Sequence, residues 1–239
     1  MVDMRFQNRV VVLTGLGGPG QLGEALARAF ADDGARIVAV DRSADKLHQQ
    51  VSALSNAGIQ ITGRAGDLAD EQRVRELAAS IGAEQGDRID AVVHLAGGFA
   101  MSGPVADSDL DVLRHQIEIN VVTAYLVTRA FLPLLRPARG ALLYLASAAA
   151  LPGAKVASMS AYAAAKGAVV TLMRAVAEEE RANGVRANAL APSAIRTAAN
   201  LASMGPITRY VEREEVAAAA VFLCSDAARA VTGQLVALA

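Results

Sequence analysis

Arg9-Val10-Val11-Val12-Leu13 runs directly into Thr14-Gly15-Leu16-Gly17-Gly18-Pro19-Gly20-Gln21-Leu22-Gly23, and the reading of this stretch decides the fold. The β-branched run predicts a buried strand, and the residues from Leu22 onward carry helical spacing. Between them, five glycines in ten residues let the backbone turn sharply and come close to a ligand. A helix that starts at such a turn offers free N–H groups and partial positive charge to an anion. A glycine-rich turn also serves as a plain strand–helix connection. Its place in the first strand–turn–helix unit points instead to a dinucleotide pyrophosphate. The candidate residues around that ligand are Gly15, Gly17, Gly18, Gly20, Leu22 and Gly23.

The same alternation continues to the end of the chain. Short apolar runs at 9–13, 36–40, 60–63, 89–95, 141–146, 185–190 and 234–238 predict seven strands. Stretches with helical spacing at 22–33, 44–56, 71–84, 110–135, 161–183 and 214–224 lie between them. Near-continuous apolar strands separated by helices imply an α/β fold, a doubly wound parallel sheet covered on both faces. One dinucleotide-binding domain over 1–239 is expected, because no linker or repeat divides the chain.

In such a sheet, ligands bind beyond the carboxyl ends of the strands, at the point where the strand order reverses. Asp41 ends the second predicted strand, eighteen residues past Gly23, where an acid reaches the adenosine ribose. A carboxylate there repels a 2′-phosphate, so NAD is favoured over NADP, with the adjacent Arg42 as the one nearby cation. Asp67-Leu68 follows the third strand and offers a carboxylate and an apolar wall to an adenine ring, or else a helix cap.

Tyr162 and Lys166 sit four residues apart in an alanine-rich stretch, so phenol and ammonium share a helix face. A phenol ionises near pH 10, and acid–base work at pH 7 asks for an offset of roughly 4 kcal/mol. A close cation supplies part of it.

Composition narrows the function classes. Hydrophobic residues make up 53% and charged residues 20% of the 239, which excludes disorder. The 23 basic and 24 acidic residues leave no field that favours nucleic acid or an anionic membrane. Cys224 is the single cysteine, so no internal disulfide or CxxC site exists, and its apolar neighbours predict a buried thiol. No N-terminal signal is visible, and glycine, proline and charge are expected to interrupt every run able to cross a bilayer. A cytoplasmic protein is the expectation.

Together these residues resemble the short-chain dehydrogenase/reductase family, in its compact single-domain type, over nearly the whole chain. The turn from Thr14-Gly15 to Leu22-Gly23 matches the family's glycine motif and is longer. His94-Leu95-Ala96-Gly97 stands for its Asn-Asn-Ala-Gly segment, which places Ala96 and Gly97 at the cofactor. Asn120, Ser147, Tyr162 and Lys166 fall in the order of its catalytic Asn, Ser, Tyr and Lys. The segment from Asn188 to Thr197 is similar to the one beside the nicotinamide, with Pro192, Ile195 and Thr197 as contacts.

The resemblance implies hydride transfer between a nicotinamide and a carbonyl or secondary alcohol. It gives Tyr162 the role of general acid/base, Lys166 that of lowering its pKa and holding the ribose, and Ser147 that of holding the substrate oxygen. Asn120 would hold a water, and Thr197 with the backbone near Ile195 the carboxamide. From the residues alone, Ser147 also reads as an ordinary serine after a strand, Asn120 as a local disturbance of a helix, and Thr197 as a helix cap. Segments 98–106, 148–160 and 198–210 are expected to form a mostly apolar substrate pocket with Phe99, Met101, Leu151, Met159, Leu201, Met204 and Tyr210. Pairing through 110–135 and 161–183 implies a homodimer or homotetramer. Two alternatives remain: an NADP-dependent ketoacyl-type reductase, and a silent dinucleotide sensor.

Overall fold

The computed structural model describes residues 4–206 and 209–239. Seven parallel strands form one sheet in the order 3-2-1-4-5-6-7. They are β1 (Val10–Thr14), β2 (Arg36–Asp41), β3 (Ile61–Ala65), β4 (Ala91–His94), β5 (Ala141–Leu145), β6 (Arg186–Pro192) and β7 (Leu235–Leu238). The helices are α1 (Leu22–Asp32), α2 (Ala44–Asn56), α3 (Glu71–Gln85), α4 (Leu110–Ile117), α5 (Thr123–Leu135), α6 (Ser160–Glu179), α7 (Ala198–Met204) and α8 (Arg213–Cys224). This is the doubly wound Rossmann arrangement that the sequence predicts.

Strand alternation divides the interior into two cores. Val11 and Leu13 face the layer that holds Leu26 and Phe30 of α1, Leu54 of α2 and Val221 of α8. Val10 and Val12 face the layer of Ile81 from α3, Phe131 from α5 and Met173 from α6. Both faces are therefore apolar, which is why the strands read as unbroken hydrophobic runs. Phe30 and Phe131 are fully buried, and each such ring contributes roughly 1.5–3 kcal/mol. Cys224 is buried in the first core, where burial pushes its thiol up to about 12.

Two elements differ from the sequence expectation. The predicted helix 110–135 is broken into α4 and α5 by a π-turn at Glu118–Val122. Asn120 donates its side-chain amide to the Gln116 carbonyl, four residues back, at 3.0 Å, and to the Gln116 Oε1 at 3.2 Å. A side chain inserted into the i→i−4 ladder widens a turn in this way. Second, part of the expected 198–210 loop is helix α7, whose N-cap is Thr197, accepting from the Asn200 amide at 3.1 Å. Residues 207 and 208 of that segment lie outside the described residues.

One exclusion needs correction. Leu110–Ala138 is long and apolar enough to cross a membrane by length and composition. Proline and charge do not interrupt it sufficiently. In the fold its buried residues, Ala124, Val127, Phe131 and Leu135, pack onto the sheet.

The sheet reverses between β1 and β4, which lie side by side, with Thr14 paired in register to His94. Thr14, Asp41, His94, Leu145 and Pro192 each end a strand on the same edge. That edge carries the site.

Candidate active site

A cavity of about 550 Å³ opens along the carboxyl ends of β1, β2, β3 and β4. Gly15, Gly17, Asp41, Arg42, Asp67, Leu68, Ala96 and Gly97 all line it, so eight residues singled out from sequence meet in one place. A side chain on Gly15 would put its β-carbon 2.7 Å from the Ala96 amide nitrogen, so the turn and the end of β4 touch backbone to backbone. The Asp41 carboxylate is fixed by two amides, from Gly17 at 3.0 Å and Ser43 at 3.2 Å. Asp67 accepts from the Ala69 amide at 2.9 Å, while Asp70 caps α3 through the Arg73 amide. The cap reading of Asp67 therefore passes to Asp70.

Helix α1 begins with Gln21 at its N-cap, and that side chain makes no capping hydrogen bond. Its opening amides thus lack a side-chain cap, as do those of α2 and α6. Leu22 is buried in the core, and Gly23 packs against the Leu16 carbonyl, so these two shape the turn rather than line the cavity. The uncapped helix start, the glycine cradle and a held carboxylate one strand away fit a dinucleotide. A bound nicotinamide would supply the hydride acceptor or donor.

The second cluster lies beside the first. Lys166 is 6% exposed, donates Nζ to the Leu145 carbonyl at 2.8 Å, and lies 5.8 Å from the centre of the Tyr162 ring. Burial lowers its ammonium to about 8, so at pH 7 it remains charged. Burial raises the Tyr162 phenol above its ordinary value, and a hydrogen bond from Ser147 acts against that rise. The sequence reading assigned the lowering to Lys166, whose Nζ hydrogen-bonds the Leu145 carbonyl and not the phenol. Ser147 Oγ also accepts from the Ala149 amide at 3.2 Å.

Asn120 donates to the Gly98 carbonyl at 3.1 Å and accepts from the Gly98 amide at 3.3 Å, tying the π-turn to the loop after β4. Gly97 is wedged between the two: a β-carbon there would meet Asn120 Oδ1 at 2.4 Å and Lys166 Nζ at 3.5 Å. His94 is buried between Thr14, at 2.9 Å from Nδ1, and Thr123, at 3.3 Å from Nε2. Thr123 already donates to the Ile119 carbonyl, so it accepts from Nε2–H and Nδ1 accepts from Thr14. Burial, with the charge of Lys166 second, lowers the ring to about 3. The neutral imidazole thus bonds β1 and α5 to β4.

Several contacts escape the sequence reading. Phe99 stacks edge-on against Tyr162 at 5.0 Å, across sixty-three residues. The loops 98–106 and 148–160 are joined where the Ser102 and Gly103 amides both donate to the Ser158 carbonyl. The Ser102 and Ser160 hydroxyls lie 3.2 Å apart. Below α7, Arg196 pairs with Glu212 at 2.7 Å and stacks on Tyr210, whose hydroxyl donates to the Gly205 carbonyl at 2.7 Å. Ile195 and Thr197 sit at this base, and the Ile195 carbonyl accepts from Asn200. Pro192 ends β6 beside them.

A nucleotide cradle joined to a buried lysine, a phenol and a serine on one sheet edge defines a dinucleotide-dependent oxidoreductase. The chain belongs to the short-chain dehydrogenase/reductase family. The family profile described as Enoyl-(Acyl carrier protein) reductase matches residues 20–238. The meso-2,3-butanediol dehydrogenase of Serratia marcescens is 33% identical, over 96% of this chain and 92% of its own length. The D-threitol dehydrogenase of Mycolicibacterium smegmatis is 32% identical, over 97% and 91%. A solved protein of Beutenbergia cavernae, described as an NAD(P)-dependent gluconate 5-dehydrogenase and holding NADP at low occupancy, superposes with a TM-score of 0.87. It is 30% identical and covers 98% of this chain and 96% of its own. With that membership the chain is an NAD(P)-dependent oxidoreductase that interconverts carbonyl and alcohol groups.

Proposed function

We propose that the chain interconverts a secondary alcohol and its ketone with NAD rather than NADP, and that Tyr162 is the general acid/base. The observation that carries this reading is the packing of Tyr162, Ser147 and Lys166 around one spot beside Gly97. In reduction Tyr162 gives its proton to the carbonyl oxygen, and in oxidation it removes the alcohol proton. Ser147 donates to the same oxygen and steadies negative charge there. Lys166 stays positive at neutral pH and favours the phenolate, while its hold on the Leu145 carbonyl fixes its position. Asn120 and Gly98 close the back of the pocket, and Thr197 orients the segment that meets the carboxamide.

The preference for NAD rests on Asp41, whose carboxylate is immobilised at the ribose end of the cavity. The substrate class we favour is a small alcohol with an apolar flank. Phe99 lies against the phenol, and Met101, Leu201 and Met204 expose large apolar surface in the flanking segments. The diol and polyol dehydrogenases among the relatives support a compact secondary alcohol. Homodimer formation through the face of Leu110, Leu113, Val122 and Tyr125, all exposed, belongs to the same proposal.

The test is cofactor reduction over a panel of secondary alcohols that includes 2,3-butanediol, with both nucleotides, for the wild type and Tyr162→Phe. Turnover that survives in Tyr162→Phe removes the assigned role. Nucleotide binding with no turnover of any alcohol or ketone by the wild type makes the chain a sensor.

A further inference from the structure

Arg213 is a charged residue to which neither the fold nor the catalytic cluster gives a purpose. It is the first residue of α8, where a cation opposes the positive end of the helix dipole. Its guanidinium turns toward the glycine turn. Nη1 lies 3.7 Å from the point where a β-carbon on Gly20 would stand, and the Ala198 β-carbon lies 3.7 Å from that same point. Its Nε is buried with no hydrogen-bond partner. Leaving a buried donor unmet is costly, the more so on a charged group.

The neighbouring carboxylates do not account for it. Glu214 approaches Nη2 only to 3.6 Å. Glu24 takes its hydrogen bonds from the Gly20 amide and from Arg28, with Arg213 adding attraction at longer range.

We propose that Arg213 clamps the pyrophosphate of the bound dinucleotide against the glycine turn, reaching in between Gly20 and Ala198. This rests on the reading of that turn as the dinucleotide site. A pyrophosphate brings two negative charges, and residues 14–23 contain no Lys or Arg. Glu24, in the first turn of α1, sits where it repels an approaching phosphate. The helix dipole offers only about half a charge against both. A planar guanidinium with a free donor supplies the missing charge and the fork that phosphate oxygens fit. The same contact would tie the segment after Thr197 to the turn whenever nucleotide is bound.

The experiment is calorimetric titration of the full chain and of Arg213→Gln with NADH, ADP-ribose and adenosine. The variant should bind NADH and ADP-ribose about tenfold more weakly and adenosine unchanged. Arg213→Lys, which keeps charge without the fork, should fall between. Equal ADP-ribose affinity in wild type and Arg213→Gln overturns the proposal, as does an equal loss for adenosine. A second arm needs no variant: phenylglyoxal labelling of the wild type, read by mass spectrometry. ADP-ribose should shield Arg213 and adenosine should not; labelling that ADP-ribose leaves unchanged overturns the clamp. If the wild type binds neither NADH nor ADP-ribose, the dinucleotide reading itself fails, an outcome distinct from failure of the clamp.

Discussion

The two halves of the site are built on opposite principles. On the side of β1, β2 and β3, backbone does the holding: glycine against Ala96, amides on Asp41, an uncapped helix start. On the side of β4, β5 and β6, buried polar side chains do it, with Asn120 at 1%, His94 at 3% and Lys166 at 6% exposure. Backbone recognition sets affinity at small cost to the fold. Buried polar groups are expensive to keep, and the return is rate and a fixed geometry.

Substitutions can break that contrast. Tyr162→Phe should show the largest effect, a loss of about 10²–10⁴ in kcat with NADH affinity within about threefold. A matching loss of NADH binding, measured by fluorescence titration, would erase the division between the halves.

Lys166→Met should lose about 100-fold in kcat and yet stabilise the protein. The folded ammonium titrates near 8 against 10.5 when free, so below pH 8 both states are protonated and the full cost of the buried charge is present. The variant should exceed the wild type by up to roughly 3 kcal/mol at pH 7, by urea unfolding. The gap should narrow as pH rises from 8 to 10.5. Lys166 and Tyr162 are close enough for their ionisations to interact. Alcohol oxidation by the wild type should therefore rise with pH as the phenolate forms, and Lys166→Met should move that rise to higher pH.

Asp41→Ala should relax the NAD:NADP ratio of kcat/KM by about tenfold or more. An unchanged ratio removes the basis for NAD. The smallest effect belongs to His94→Asn, about 1 kcal/mol. Its folded pKa lies below the free value, so the unfolded chain binds more protons between pH 3 and 6.5. The wild type should lose stability as pH falls through that window, by at most about 1.4 kcal/mol per pH unit, and the variant should lack that slope.

The contrast also explains what was legible. The sheet was readable because both strand faces are buried, so Val10 to Leu13 and its counterparts carry the signal at every position. The clustering of the backbone half of the candidate site was readable because glycines and an acid at strand ends fall on one edge of a parallel sheet. The π-turn was not, since helical periodicity runs through 110–135 unbroken and only the Asn120 amide diverts the ladder. Helix α7 was missed because Ala198–Met204 is short and carries no stripe of buried residues. The rise in the Tyr162 pKa comes from burial, and the Phe99 contact from two distant loops; both belong to tertiary structure. Arg213 escaped notice because the last helix was expected to begin one residue later.

The junction at Ser158 has a practical consequence. The segment after β5 leaves from Ser147, returns at Ser160, and is stitched to the neighbouring loop where the Ser102 and Gly103 amides meet one carbonyl. Residues 152–156 are therefore the span of an arch fixed at both feet, since Ala149 and Ala150 still hold Ser147. The length and chemistry of that span are open to replacement without disturbing the reacting groups, which makes the arch the natural place to graft a new substrate range.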